Sequence, residues 1–170
     1  LPAQDDFAAH DRAARALASV LPERAQTREA DGAITPVADG WRRVPYEAKG
    51  RRGWFPVDVL VRASSGHALV GALGEGVSGD GPRARARALL AGQMSDKWRF
   101  RVVAERELAD AGLHEVLVEA RRGAQGATRL LSVYLGEGFA VRGVLRGPQG
   151  EALSAAGRRR FRGQQVSWSE

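Results

Sequence analysis

Three consecutive runs between His114 and Arg146 alternate apolar and polar residues and are joined by short glycine-bearing links. The runs are His114-Glu-Val-Leu-Val-Glu-Ala-Arg121, Thr128-Arg-Leu-Leu-Ser-Val-Tyr-Leu135 and Phe139-Ala-Val-Arg-Gly-Val-Leu-Arg146. The links are Gly123-Ala-Gln-Gly126 and Gly136-Glu-Gly138. A two-residue period broken by glycine turns dictates antiparallel hairpins. Arg101-Val-Val-Ala-Glu105 adds a strand in front, so the stretch from Arg101 to Arg146 is a meander of three to four strands. Its pattern places Val116, Val118, Leu131, Val133, Leu135, Phe139, Val141 and Leu145 on an inward face. Glu115, Glu119, Arg121, Ser132, Arg142 and Arg146 fall on a wet one.

The rest of the chain reads as material packed around that sheet. Asp6 to Leu21 predicts a helix, with Asp available as a cap and Phe7, His10, Ala14, Leu17 and Leu21 along one face before Pro22 ends it. Glu23 to Gly40 loses periodicity and reads as a linker. Trp41 to Leu73 predicts about three strands, with Gly50-Arg-Arg-Gly53 as a hairpin turn and Pro45 and Pro56 confined to edges, strand starts or bulges. Pro82 opens a second helix whose stripe is Ala86, Leu90, Met94 and Trp98. Glu151 to Phe161 predicts a last helix, followed by Gln164-Gln-Val-Ser-Trp168. The expected class is α+β: an antiparallel sheet of about six to seven strands, with a central and a C-terminal helix packed on it and an extra N-terminal helix. Residues 1–40 form an acidic helix and linker, and residues 41–170 a single α+β domain.

Composition bounds the chemistry. The 170 residues suffice for a core burying about 70% of the unfolded surface. Without cysteine, the chain has no disulfide, thiolate ligand or thiol nucleophile. No apolar run approaches the roughly 20 residues of a membrane span. The net charge of +6 invites a polyanion, yet only two lysines, Lys49 and Lys97, accompany the many arginines. With no asparagine and a single isoleucine, Ile34, that bias points to GC-rich coding. Residues 1–40 carry seven acids and four bases, whereas residues 41–170 carry 13 acids and 22 bases. An acidic front segment is therefore expected to dock on a basic body. The chain opens on Leu1-Pro2-Ala3-Gln4 rather than Met. Either removal of an export leader or truncation accounts for that, and export is the expectation carried forward.

No motif specifies a reaction. Gly74-Glu-Gly-Val-Ser-Gly79 spells G-x-G-x-x-G between a strand and a helix. Asp80-Gly81-Pro82 delays the helix, however, and Glu75 would oppose a pyrophosphate, so no cofactor is expected. Ser64, Ser65 and His67, with Asp58 nearby, lack a nucleophile elbow and read as an exposed turn. His10, His67 and His114 are scattered and predict no metal site. The pairs Glu105/Glu107 and Glu115/Glu119 read as solvated charge. What remains is arginine: Arg83 and Arg87 on the central helix, and Arg158, Arg159, Arg160 and Arg162 near the C-terminus. These are the candidate contacts for an anionic group. No stacking signature or helix-turn-helix spacing accompanies them, which disfavours nucleic acid.

The layout from Trp41 to Trp168 resembles the PsbP-like fold, which includes photosystem extrinsic subunits and bacterial DcrB-like envelope proteins. The corresponding parts are strands, a central helix at Pro82 to Lys97, the meander from Arg101 to Arg146, and an ending at Glu151 to Trp168 closed by Val166-Ser167-Trp168. The acidic helix Asp6–Leu21 is extra. The resemblance carries no site residues. It implies a non-catalytic accessory or binding domain, periplasmic or extracellular, contacting an anionic protein or envelope component. A small enzyme using a pocket beside Gly74–Gly81 is the alternative from a different class, and a nucleic-acid binder is a third.

Overall fold

In the computed structural model, the described residues are 2–154 except 76, 125 and 127. They form α1 (Pro2–Val20), β1 (Thr27–Glu29), β2 (Thr35–Pro36), β3 (Trp41–Gly50), β4 (Gly53–Arg62), β5 (Ala68–Glu75), α2 (Pro82–Gln93), β6 (Trp98–Leu108), β7 (Leu113–Arg122), β8 (Thr128–Gly136) and β9 (Phe139–Arg146). The chain divides into two compact units, residues 1–72 with 144–153, and residues 73–143 with 154–170. Strands β5 and β9 each begin in one unit and end in the other.

The expected α+β layout of six to seven strands and three helices is overturned. Among the described residues there are nine strands and only two α-helices. Two of the extra strands come from the presumed linker, where Thr27–Glu29 and Thr35–Pro36 both pair with β3. The start of the expected C-terminal helix is not helical either. Residues 147–150 turn back so that Ala152 bridges Arg146 and the Leu153 N–H donates to the Leu145 carbonyl. Alanine-rich composition favours helix by only tenths of a kcal/mol per residue, and a strand end with open backbone groups overrides it. The remainder of that expected helix lies outside the described residues.

In the first unit the strand path is β1-β3-β4-β5, with β2 also on β3. The turn Gly50-Arg-Arg-Gly53 closes the β3–β4 hairpin as expected, in unbroken register from Trp41↔Arg62 to Gly50↔Gly53. Pro45 falls between the stretches of β3 that β1 and β2 occupy, so its missing donor is not needed by either. Pro56 lies beyond Asp58–Val61, the part of β4 that pairs with β5. Helix α1 buries Ala9, Ala13, Ala16 and Leu17 against Val44, Tyr46, Ala48, Val57, Val59, Val61, Ala68 and Val70. The expected face was displaced: Phe7 is 81% exposed, and alanines make the contact instead. Asp6 pairs with Arg42, and Asp39 with Arg62 (3.1 Å), so acids of the front segment do meet bases that follow.

In the second unit β9-β8-β7-β6 form the meander. Helix α2 sets Ala86, Leu89 and Leu90 on Val116, Val118, Val133, Leu135 and Ala140. It stops at Gln93, so Met94 is its C-cap and Trp98 opens β6 instead of continuing the helical stripe. The inward face also needs correcting at β9. The two-residue turn Glu137-Gly138, with Gly138 at φ 75°, places Phe139 opposite Gly136 and Val141 opposite Tyr134. Phe139 and Val141 therefore point away from α2, while Ala140 and Arg142 share the face of Val133 and Leu135. Both faces are buried there, so the expected wet face does not hold for Glu115 and Ser132.

Candidate functional site

The groove with the clearest chemistry lies in the first unit, a cavity of about 440 Å³. Ala8, Asp11, Arg12, Arg15, Ala16 and Ser19 of α1 form one wall, and Arg146 to Gly150 form the other, with Gly66 and Ala68 between. Helical spacing explains the first wall, since residues 8, 12, 15, 16 and 19 recur on one side. The hairpin after β9 explains the second. Gly147 N–H donates to the Glu151 carbonyl (2.9 Å), and Gly150 N–H to the Gly147 carbonyl (3.0 Å). Gly66, at φ 77°, packs so closely under Pro148 that a Cβ there would stand 3.0 Å from the proline ring.

The groove's charges do not cancel. Asp11 accepts from Arg15 at 2.9 Å, an exposed i,i+4 pair. Arg146 Nη2 donates to the Ser19 carbonyl at 3.1 Å, which supplies no countercharge. Its Nε is buried without a hydrogen-bond partner among the described residues. Arg12 has no carboxylate partner among the described residues either. Two guanidinium groups thus line one cavity with no ion-pair partner among the described residues, beside the Asp11–Arg15 pair, each a planar fork suited to carboxylate or phosphate oxygens.

A second cavity, of about 430 Å³, sits in the second unit at the start of α2. Arg85, Glu107, His114 and Glu137 line it, with Gly136 and Leu135. Beside it Arg83 Nε donates to Glu105 Oε2 (3.2 Å), and His114 Nε2 lies 3.9 Å from the same oxygen. Arg85 is a structural clamp, donating from Nη2 to the Gly136 carbonyl (2.7 Å) and the Phe139 carbonyl (3.0 Å). Among the described residues no group of three or more His, Asp or Glu is placed to hold a metal ion.

A third polar cluster is buried at Glu115, Tyr134 and Ser154. Glu115 is 0% exposed and accepts from Arg106 at both Nε (2.8 Å) and Nη2 (2.7 Å), and from the Tyr134 hydroxyl (2.9 Å). With that proton committed to Glu115, the Tyr134 oxygen accepts from the Ser154 hydroxyl. Burial, then the neighbouring Glu115 carboxylate, pushes the Tyr134 pKa far above the ordinary 10.0. No described cavity reaches this cluster, and it clasps the chain after β9 to the sheet.

Arg83 is held by Glu105, Arg87 is exposed on α2, and Arg158, Arg159, Arg160 and Arg162 lie outside the described residues. His67 is buried and Ser65 half-buried, only Ser64 being exposed, and Asp58 is committed to Arg43 at 2.6 Å. Gly74 and Gly79 have packing roles. Gly74 lies against Leu89, and a Cβ on Gly79 would meet the Ala84 and Arg85 backbone at 3.0 Å. Sequence reasoning missed Arg12 and Arg146 because they lack a local cluster and meet only through the fold. No helix among the described residues is long and apolar enough to cross a membrane. Comparison with protein-family models, curated proteins and solved structures found no match in any of the three.

Proposed function

We propose that this chain is a non-catalytic binding or assembly domain whose ligand presents an anionic group, a carboxylate or phosphate carried by a protein or envelope component. The observation that carries this reading is the pairing of Arg12 and Arg146 in one cavity with no ion-pair partner for either among the described residues. Two guanidinium forks facing one cavity supply charge and direction together, while Asp11 is held by Arg15 and the Ser19 hydroxyl donates to the Ala16 carbonyl. The PsbP-like layout, strands before α2 and a four-stranded meander after it, supports the same class of function.

Calorimetric titration with inorganic phosphate and with an acidic peptide tests the reading. Binding is expected to weaken about tenfold in Arg12→Gln, one charge-assisted contact being worth roughly 1.5 kcal/mol. Unchanged binding in both Arg12→Gln and Arg146→Lys refutes the assignment.

The cavity at the start of α2 favours a second reading, a small enzyme. His114 and Glu107 there offer an acid and a base lining one cavity, with Glu105 beside His114. Turnover abolished by His114→Ala but untouched by Arg12→Gln would move the function to that cavity.

A further inference from the structure

The tip of the β3–β4 hairpin has a composition that neither cavity uses. From Lys49 to Pro56 the chain reads Lys-Gly-Arg-Arg-Gly-Trp-Phe-Pro, and every one of these residues is exposed. Trp54 (36%) and Phe55 (46%) are two of the three large exposed hydrophobics among the described residues. The α1-covered row Val44, Tyr46, Ala48, Val57 and Val59 ends before Phe55, and β5 pairs only with Asp58–Val61, so neither element reaches the tip.

Register decides what such a tip fits. Trp54 stands opposite Lys49 on one face of the hairpin and Phe55 opposite Ala48 on the other, with the start of β1 alongside β3 at that level. Arg28 holds the indole from one side, its guanidinium carbon 4.0 Å from the ring centroid, while its Nε bonds Glu47 Oε1 at 3.1 Å. That pair neutralises Arg28, and one face of Trp54 is thereby occupied. Lys49, Arg51 and Arg52 have no carboxylate partner among the described residues. The tip is therefore a +3 loop with aromatic rings on opposite faces.

A flat protein surface meets one face only, and successive bases of a single strand cannot stack on rings that face apart. The interfacial layer of a bilayer surrounds an inserted tip on all sides. It accepts tryptophan and phenylalanine at headgroup level and offers phosphates to arginine and lysine. We infer that this hairpin tip docks the protein on an anionic membrane surface, Arg51 and Arg52 engaging lipid phosphates while Trp54 and Phe55 enter the interface. This inference stands independently of the arginine groove.

Sedimentation of the full chain with vesicles of phosphatidylcholine containing phosphatidylglycerol, against phosphatidylcholine alone, tests it. Binding is expected only to the anionic vesicles, with loss at high salt and a blue shift of tryptophan emission. Arg51→Gln with Arg52→Gln is expected to weaken partitioning about thirtyfold, each basic residue near an anionic surface contributing roughly fivefold. Trp54→Ser with Phe55→Ser is expected to remove the blue shift. Removing two exposed cations elsewhere, Lys97→Gln with Arg99→Gln, is expected to change partitioning less than about threefold, which separates a local tip from net charge. These are surface changes, and circular dichroism shows whether each variant is folded. The inference is overturned by absence of vesicle binding in folded wild-type protein, by equal losses in the two charge variants, or by tip-dependent binding of a single-stranded oligonucleotide without vesicle binding.

Discussion

Tyr134→Phe removes a single oxygen from the buried clasp of the second unit, and its cost follows from the contacts of that oxygen. The ring stays, so no cavity forms and the transfer contribution of the side chain is almost unchanged. The Tyr134 hydroxyl donates to Glu115 Oε2 at 2.9 Å in a site where the carboxylate is wholly cut off from water. Hydrogen bonds to charged groups contribute about 1.5–3 kcal/mol, so the variant is expected to lose about 2 kcal/mol. For a chain of this size that lowers the melting temperature by about 4–8 °C. Glu115→Gln withdraws the countercharge from Arg106, whose side chain is 25% exposed and recovers part of its hydration, so a loss of about 3 kcal/mol is expected. Because both changes act on one network, a double-mutant cycle followed by urea denaturation should return a coupling of at least about 1 kcal/mol. Additive losses, coupled by less than about 0.5 kcal/mol, would refute the claim that the four side chains act as one clasp.

Three further outcomes follow from the same packing. Burial raises the Tyr134 pKa, so the stability tied to its neutral form is complete below the ordinary value of 10.0 and is lost as pH rises through the folded-state value. Urea midpoints should thus hold to about pH 10 and fall beyond it, more steeply in the wild type than in Tyr134→Phe. Gly136→Ala drives a methyl into the ring of Phe139, which is fully buried and has nowhere to move, and is expected to cost about 1–3 kcal/mol in the thermal transition. Arg85→Met keeps the stem but releases the Gly136 and Phe139 carbonyls, and a loss of about 2 kcal/mol with faster amide exchange in the β8–β9 turn is expected.

Local pattern was legible wherever a single element decided the outcome. The β3–β4 turn, the α2 start at Pro82 and the four strands of the meander all follow from periodicity and turn residues. What escaped depended on partners distant in sequence. Alternation along β9 was real, but which parity faces α2 was set by the Glu137-Gly138 turn, so Phe139 and Val141 were assigned to the wrong side. Glu115 read as solvated because its partners Arg106 and Tyr134, and the Ser154 that contacts Tyr134, come from three separate segments. On α1 the eye follows the large Phe7, whereas the sheet selects Ala9, Ala13 and Ala16, which permit close approach. Glu151 to Ser154 had helical composition yet closes a turn against the end of β9. The arginine groove was invisible for the same reason: Arg12 and Arg146 are single residues from opposite ends of the chain.

A nuclear magnetic resonance titration of isotope-labelled protein with inorganic phosphate tests the central claim most directly. Amide shifts are expected to concentrate at residues 8–19 and 146–150, with the titration midpoint moved about tenfold higher in Arg12→Gln and also raised in Arg146→Lys. Shifts centred instead on Pro82–Arg87 and His114, or no shifts at all, would contradict it.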